Sequence, residues 1–355
     1  MKILRSLLIP ASVLTLAANA AAQVSPAPSA AQAPQAEDQS ASKPKAKPAA
    51  ATRKPAATSK PGATPAATAT PAPAPDDPNV DLVYGAYQRG FYKTAFDLAT
   101  RRAQENGDPK AMTMLGELYA NAMGVKRDDA KAAEWYRRAA DAGDREGMFE
   151  LAMLRLAGRG GPINREEAVK MLASSAKLGN PKAAYNLALL YLGGETLPQD
   201  LKRCAELLRI AADAGSPEAQ YALATFYKEG TGVPKDIEKA VRLLQAASLA
   251  GNVDAEVEYA IALFNGTGTP KNEPAAVALM RKAAKQNNPI AQNRLARVLA
   301  SGQGAPVDRA EALKWHLIAK SAGKGDPALD EALSNLSPED RARAEAGARK
   351  WLGTK

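Results

Sequence analysis

Few residues in this chain could do chemistry, and their spacing limits what they can do. The 355 residues include one cysteine, Cys204, and one histidine, His316. Zinc and copper sites draw on clusters of such ligands, so the sequence offers no metal set, and no motif calls for a cofactor. Cys204 has no second cysteine to pair with in the same chain. Nucleophilic catalysis of the Ser-His or Cys-His kind would have to run through His316 alone. Carboxylates recur at Asp128, Asp200, Asp236 and Asp308. They stand a fixed interval or a multiple of it apart, so they form no converging acid–base pair. No G-x-x-x-x-G-K-[ST] loop is present, and no strand precedes a glycine-rich turn that would hold a dinucleotide. The cluster Gly158–Gly161 falls inside a repeated turn.

The interval is 36 residues. Ala111, Gly147, Ala183, Ala219, Ala255 and Ala291 are spaced by it without insertion, and Ala328 follows at 37. A period of this length is the signature of stacked helical repeats. Within each unit, Leu115, Leu151, Leu187, Leu223, Tyr259 and Leu295 are followed by a small residue, Gly116 or Ala152, Ala188, Ala224, Ala260 and Ala296. Leu118, Leu154, Leu190, Phe226, Ala262 and Val298 complete the i, i+3 spacing of a helix. The small residue should let a neighbouring helix approach closely.

A turn follows, with Gly124, Gly160, Gly232, Gly268 and Gly304 at one position and Thr196 as the exception. Next, Asp128, Asn164, Asp200, Asp236, Asn272 and Asp308 occupy the place of a helix N-cap. Glu167 and Glu311, three residues later, predict capping boxes. The second helix carries Trp135, Met171, Leu207, Leu243, Leu279 and Trp315. It ends at Gly143, Gly179, Gly215, Gly251, Asn287 and Gly323, residues suited to a left-handed C′ position.

The same frame places the two reactive residues. Cys204 shares its position with Ala132, Ala168, Ala240, Ala276 and Ala312, which predicts a packed, inert thiol rather than a redox sensor. His316 aligns with Tyr136, Leu172, Leu208, Leu244 and Met280, so a packing role, open to pH, is expected. Arg137 and Arg138 read as part of a solvated outer face.

Residues 115–144 carry the pattern L-G-x-L-Y…G-V-x-x-D-x-x-K-A-x-x-W-Y-R-x-A-A-x-x-G-D. This resembles the Sel1-like repeat, a relative of the tetratricopeptide repeat, with six full units over 111–327. The resemblance implies an all-α fold, an α/α superhelical solenoid. Residues 81–110 read as a shorter N-terminal helical pair. Residues 328–355 read as capping helices, the last starting at Ser337-Pro338-Glu339-Asp340 and running to about Trp351.

The first eighty residues differ in kind. Lys2 and Arg5 precede a short apolar stretch from Ser6 to Ala18, and Ala20-Ala21-Ala22 precedes Gln23. This is the layout of a cleaved signal peptide over 1–22. The stretch is shorter than the roughly 20 apolar residues that a spanning helix needs. Export to the periplasm is therefore expected, with no membrane span in the mature protein. Residues 23–80 hold 12 Pro and 18 Ala but no aromatic residue, a composition that cannot bury enough apolar surface to fold. A disordered tether is expected, with a reach on the order of 100–180 Å. The net charge of +9 includes six Lys/Arg against four Asp/Glu in this segment. What remains is only mildly basic, which argues against a nucleic-acid partner.

Stacked helical pairs present an extended surface for a macromolecule, and by analogy with tetratricopeptide arrays the first helices should line it. Residues three and six after each repeat start vary within the fixed frame. Glu117, Glu150, Asn186, Glu258, Arg294 and Arg297 stand at such positions, and Asn265 lies near the end of its helix. These seven are the candidate partner-binding residues. The Lys/Asn ladder of carboxylate-clamp tetratricopeptide domains is not reproduced. The run Glu258–Gly268 and the closing Leu336–Ala342, together with the signal-like start, resemble exported alphaproteobacterial Sel1 proteins, some of them labelled exopolysaccharide-production negative regulators. That resemblance implies a protein partner in the cell envelope, the periplasmic sensor domain of a two-component kinase. A second function class is an envelope hydrolase acting on peptidoglycan or β-lactams, as described for some cysteine-rich Sel1 relatives. Their paired cysteines are missing here, and the Ser-x-x-Lys spacing from Ser174 to Lys177 lies in a stretch whose register sends Ser175 to the small packing position. The expectation is therefore a non-enzymatic interaction scaffold.

Overall fold

The computed structural model describes residues 81–353, which contain sixteen α-helices and no strand. The signal-like segment 1–22 and the Pro/Ala-rich segment 23–80 lie outside the described residues. A short pair opens the array, α1 (Leu82–Gln88) and α2 (Tyr92–Glu105). Three longer pairs follow: α3 (Pro109–Ala120) with α4 (Asp129–Asp141), α5 (Arg145–Ala157) with α6 (Arg165–Lys177), and α7 (Pro181–Gly193) with α8 (Leu201–Asp213). Three more complete the repeats: α9 (Pro217–Glu229) with α10 (Ile237–Leu249), α11 (Val253–Asn265) with α12 (Glu273–Lys285), and α13 (Pro289–Ser301) with α14 (Arg309–Ser321). The short α15 (Pro327–Ala332) and the longer α16 (Pro338–Leu352) end the chain.

Each helix packs on the next, from α1 to α14, and α16 lies against α14. The α3 helix also meets α5, and α13 meets α15, so first helices of neighbouring pairs share a wall. The core is a series of clusters along the array. One runs from Phe149 to Ala255 and another from Val257 to Ala348. Each helix is too short to be stable alone in water, so stacking of the apolar faces supplies the stability.

Local chemistry explains the regularity. The side chain of every second-helix cap accepts from a backbone N–H in the first turn: Asp128 from Lys131, Asn164 from Glu167, Asp200 from Arg203, Asp236 from Lys239, Asn272 from Ala275 and Asp308 from Glu311. The expected capping boxes do not close. The N–H groups of Asn164 and Asp308 donate instead to the carbonyls of Arg155 and Leu299 in the preceding helix. That leaves Glu167 free to take Arg137 and Arg155, and Glu311 free to take Arg281. Arg137 is thus more than part of a solvated face, and Arg138 stacks on the Trp135 ring at 4.1 Å.

First helices begin two residues before the repeated alanines. Asp108, Asp144, Asn180, Ser216, Asn252 and Asn288 are their N-caps, and Pro109, Pro181, Pro217 and Pro289 sit at the first helical position. The sequence pairs Asn180-Pro181, Ser216-Pro217 and Asn288-Pro289 are therefore starts of helices as well as turns. All six C′ residues of the second helices, Asn287 included, have positive φ. The turn glycine has a second reason besides its φ. A Cβ on Gly160 would stand 2.1 Å from the carbonyl oxygen of Asp129, at the start of the preceding second helix.

Candidate interaction surface along the first helices

The positions three and six after each repeat start lie on the first-helix wall, but the wall is not uniform. In the central repeat they turn inward. Ala222 and Thr225 are buried, and Thr225 Oγ1 donates to the carbonyl of Tyr221. On either side of that repeat the equivalent residues are half-buried or exposed.

At the N-terminal end the wall is acidic. Glu117 on α3 accepts from the Tyr87 hydroxyl of α1 at 2.6 Å. Glu150 on α5 makes no hydrogen bond among the described residues. Burial pushes its carboxyl up to about 7, with the negative charges of Glu146 and Glu117 acting in the same direction and Lys182 and Arg159 opposing them. Asn186 on α7 donates to the Lys182 carbonyl of its own helix at 2.8 Å. Lys182 in turn pairs with Glu146 at 2.7 Å.

Past this acidic end, Met153 and Leu156 on α5 and Leu189 and Leu192 on α7 are half-buried apolar residues. Further along, Glu258 on α11 is held by α9, accepting from the Tyr221 hydroxyl at 3.1 Å and from Lys228 Nζ at 2.7 Å. At the C-terminal end the wall turns basic. Arg297 on α13 pairs with the buried carboxylate of Asp326, the N-cap of α15. Asn265 and Arg294 are exposed, and neither side chain has a hydrogen-bond or ion-pair partner among the described residues. Asn265, Arg294 and Arg297 all line one pocket of 480 Å³ between α11, α13 and α15.

Of the seven sequence candidates, three therefore converge on a single pocket. Glu117 and Glu150 stand at the opposite end, while Asn186 and Glu258 lie between. Glu117, Asn186, Glu258 and Arg297 hold neighbouring residues within the chain, which leaves Glu150, Asn265 and Arg294 without such a bond. Sequence reasoning missed the partners Tyr87, Tyr221 and Lys228. They lie 30 or 37 residues from the carboxylates they bind, about one repeat away, and comparison of equivalent positions alone does not pair them.

The reactive residues are enclosed. Cys204 is fully buried, and its thiol is pushed up to about 12, first by burial and then by Asp200. The buried His316 ring places Nε2 2.8 Å from Asp330 Oδ1, while Nδ1 has no partner among the described residues. Asp330 also accepts from Lys320 Nζ at 2.9 Å. Ser174 and Lys177 are both exposed and share no hydrogen bond, while Ser175 is buried and donates to the Arg145 carbonyl at 2.6 Å. None of the described helices is long and apolar enough to cross a membrane.

The repeat register finds its counterpart in known proteins. Sel1 repeat matches cover 109–144, 145–180, 181–216, 217–252, 253–288 and 289–324, without a gap. Among solved structures, the chain is similar to a Sel1 repeat protein from Oxalobacter formigenes. The two are 27% identical with a TM-score of 0.59, and the match covers 68% of this chain and 98% of the other. It is also similar to c5321, a protective antigen of uropathogenic Escherichia coli strains with an SLR fold, at 25% identity and a TM-score of 0.52. That match covers 74% of this chain and 64% of the antigen, so the chain spans under two thirds of the antigen's length. No curated protein matches the chain. Sel1 repeats build protein–protein interaction scaffolds, and with more than half its length in six uninterrupted units the chain belongs to the Sel1 repeat family.

Proposed function

We propose that the chain is an exported, periplasmic scaffold whose first-helix wall holds a protein partner, and that it acts as a negative regulator by restraining the sensor domain of a two-component kinase. The export reading rests on the n-region, apolar stretch and A-x-A pattern of residues 1–22. The regulator reading rests on the sequence resemblance of Glu258–Gly268 and Leu336–Ala342. The observation that carries the interaction reading is the wall itself. It grades from the acidic residue Glu117, past half-buried Met153 and Leu189, to the exposed Arg294. A surface with ordered charge and an apolar middle selects both the register and the direction of a bound chain.

The experiment is site-specific photo-crosslinking in living cells. A photoreactive residue at Leu189, on the wall, should capture a discrete envelope protein. The same residue at Lys170, an exposed position on a second helix, should not. Equal capture at both sites, or none at Leu189, would remove the wall from consideration. The N-terminus of the exported protein should begin at Gln23.

A further inference from the structure

The pocket between α11, α13 and α15 lies beside a short helix. First helices of the full repeats run 12 or 13 residues, but α15 has only six. In the repeats, each first helix runs on for a second half of its length. Here that half is missing, because α15 stops at Ala332 and the chain turns away toward α16. The residues left exposed or half-buried here are Arg297, Ala300 and Ser301 on α13 and Ile261, Phe264 and Asn265 on α11. The space has an apolar floor from Ile261, Phe264, Val298 and Leu329, and a polar rim that includes Asn265 and Arg294. Arg297 also lines it, but its charge is answered by Asp326, which Asn293 and the Ala328 N–H bond as well. Among the described residues, Asp326 is the only carboxylate in the lining. The unanswered charge at the pocket is therefore the positive charge of Arg294.

The geometry points to this pocket as the anchoring site for an acidic partner segment, one that inserts a bulky aliphatic or aromatic side chain and sets a neighbouring carboxylate against Arg294. Charge complementarity favours an acidic segment over a basic one. The volume of 480 Å³ exceeds one large side chain, and an apolar group entering it leaves water for the apolar floor. Asn265 and Gln303, exposed at the rim, can bond the backbone of the entering segment. The proposal deepens the scaffold reading and rests on it, since it names the chemistry of the segment held at one end of the wall.

The test uses the full mature chain and a fluorescein-labelled nonapeptide with Leu-Phe at its centre and flanking Glu residues, followed by fluorescence anisotropy. Two control peptides carry Lys in place of Glu, or Gly-Gly in place of Leu-Phe. The acidic apolar peptide should bind at least tenfold more tightly than either control. Arg294→Glu, at an exposed position, should weaken it tenfold or more, and Ser301→Trp, which fills the mouth, should abolish it. Thermal melts of both variants should match the parent, which separates lost binding from lost folding. Binding that ignores peptide charge, binding unchanged in Arg294→Glu, or no binding of the acidic peptide would each overturn the proposal. Crosslinking from Leu189 distinguishes the two levels. If it persists while the peptide fails, the pocket assignment falls and the scaffold stands; if both fail, both fall.

Discussion

Glu150 is a carboxyl that the fold does not help to ionise. It makes no hydrogen bond among the described residues, and burial raises its pKa from an ordinary carboxylate value to about 7. In the unfolded chain the group loses its proton near pH 4.5, while in the folded chain it keeps it to about 7. The unfolded state thus binds fewer protons across that window, so stability falls as pH rises through it and levels off above it. Glu150→Gln should leave the melting temperature nearly unchanged at pH 4.5 and raise stability by roughly 1–3 kcal/mol at pH 8. A melt series across pH reads this directly, and a pH-independent difference would contradict it. Gly116 makes the opposite point, that of a missing atom. A Cβ there would stand 2.5 Å from the ring of the buried Tyr136. Gly116→Ala should therefore destabilise by about 1–3 kcal/mol despite the better helix propensity of alanine. Cys204, buried with its thiol held toward about 12, should react with a thiol reagent only when denaturant opens the chain. Rapid labelling of the native protein would show that the helix breathes at this position.

At the scale of helices, stability depends on caps and on the repeated leucines. Leu223 is buried in the middle of the core, and Leu223→Ala should cost about 2–5 kcal/mol by urea denaturation. Asp200→Ala, which removes only the bond to the Arg203 N–H, should cost about 0.5–2 kcal/mol. These elements were legible in the sequence because each rests on a local rule repeated six times. Asp or Asn at one position and Gly or Asn at another give the ends of helices without any tertiary information. What was not legible depends on contacts between repeats. Glu167 and Glu311 carry the spacing of a capping box, yet the N–H that would complete it is taken by a carbonyl of the preceding helix. The candidate site shows the same divide. The frame places all seven residues on first helices, but it does not tell that Glu258 is engaged by Tyr221 and Lys228 while Arg294 has no partner among the described residues. Nor does it show the pocket, which lies beside a helix that stops early.

Across the whole molecule, contacts run mostly between neighbours in sequence, so cooperativity passes from repeat to repeat. Gly215 has φ +90° with open space around it, so a side chain there is opposed by backbone conformation rather than by collision. Gly215→Val should break the array in the middle, and calorimetry should resolve two transitions where the parent shows one. The C-terminal end is fastened differently from the rest. Trp351 packs edge-on against Trp315 at 5.2 Å between ring centres, and its indole N–H donates to Asn287 Oδ1 at 2.9 Å. Asn287 is the only one of the six left-handed C′ residues with a side chain, and that side chain ties α16 to the end of α12. A chain pulled in an optical trap from its two ends should consequently peel first from the α1 side, since the opposite terminus is laced across two repeats and must be torn in shear.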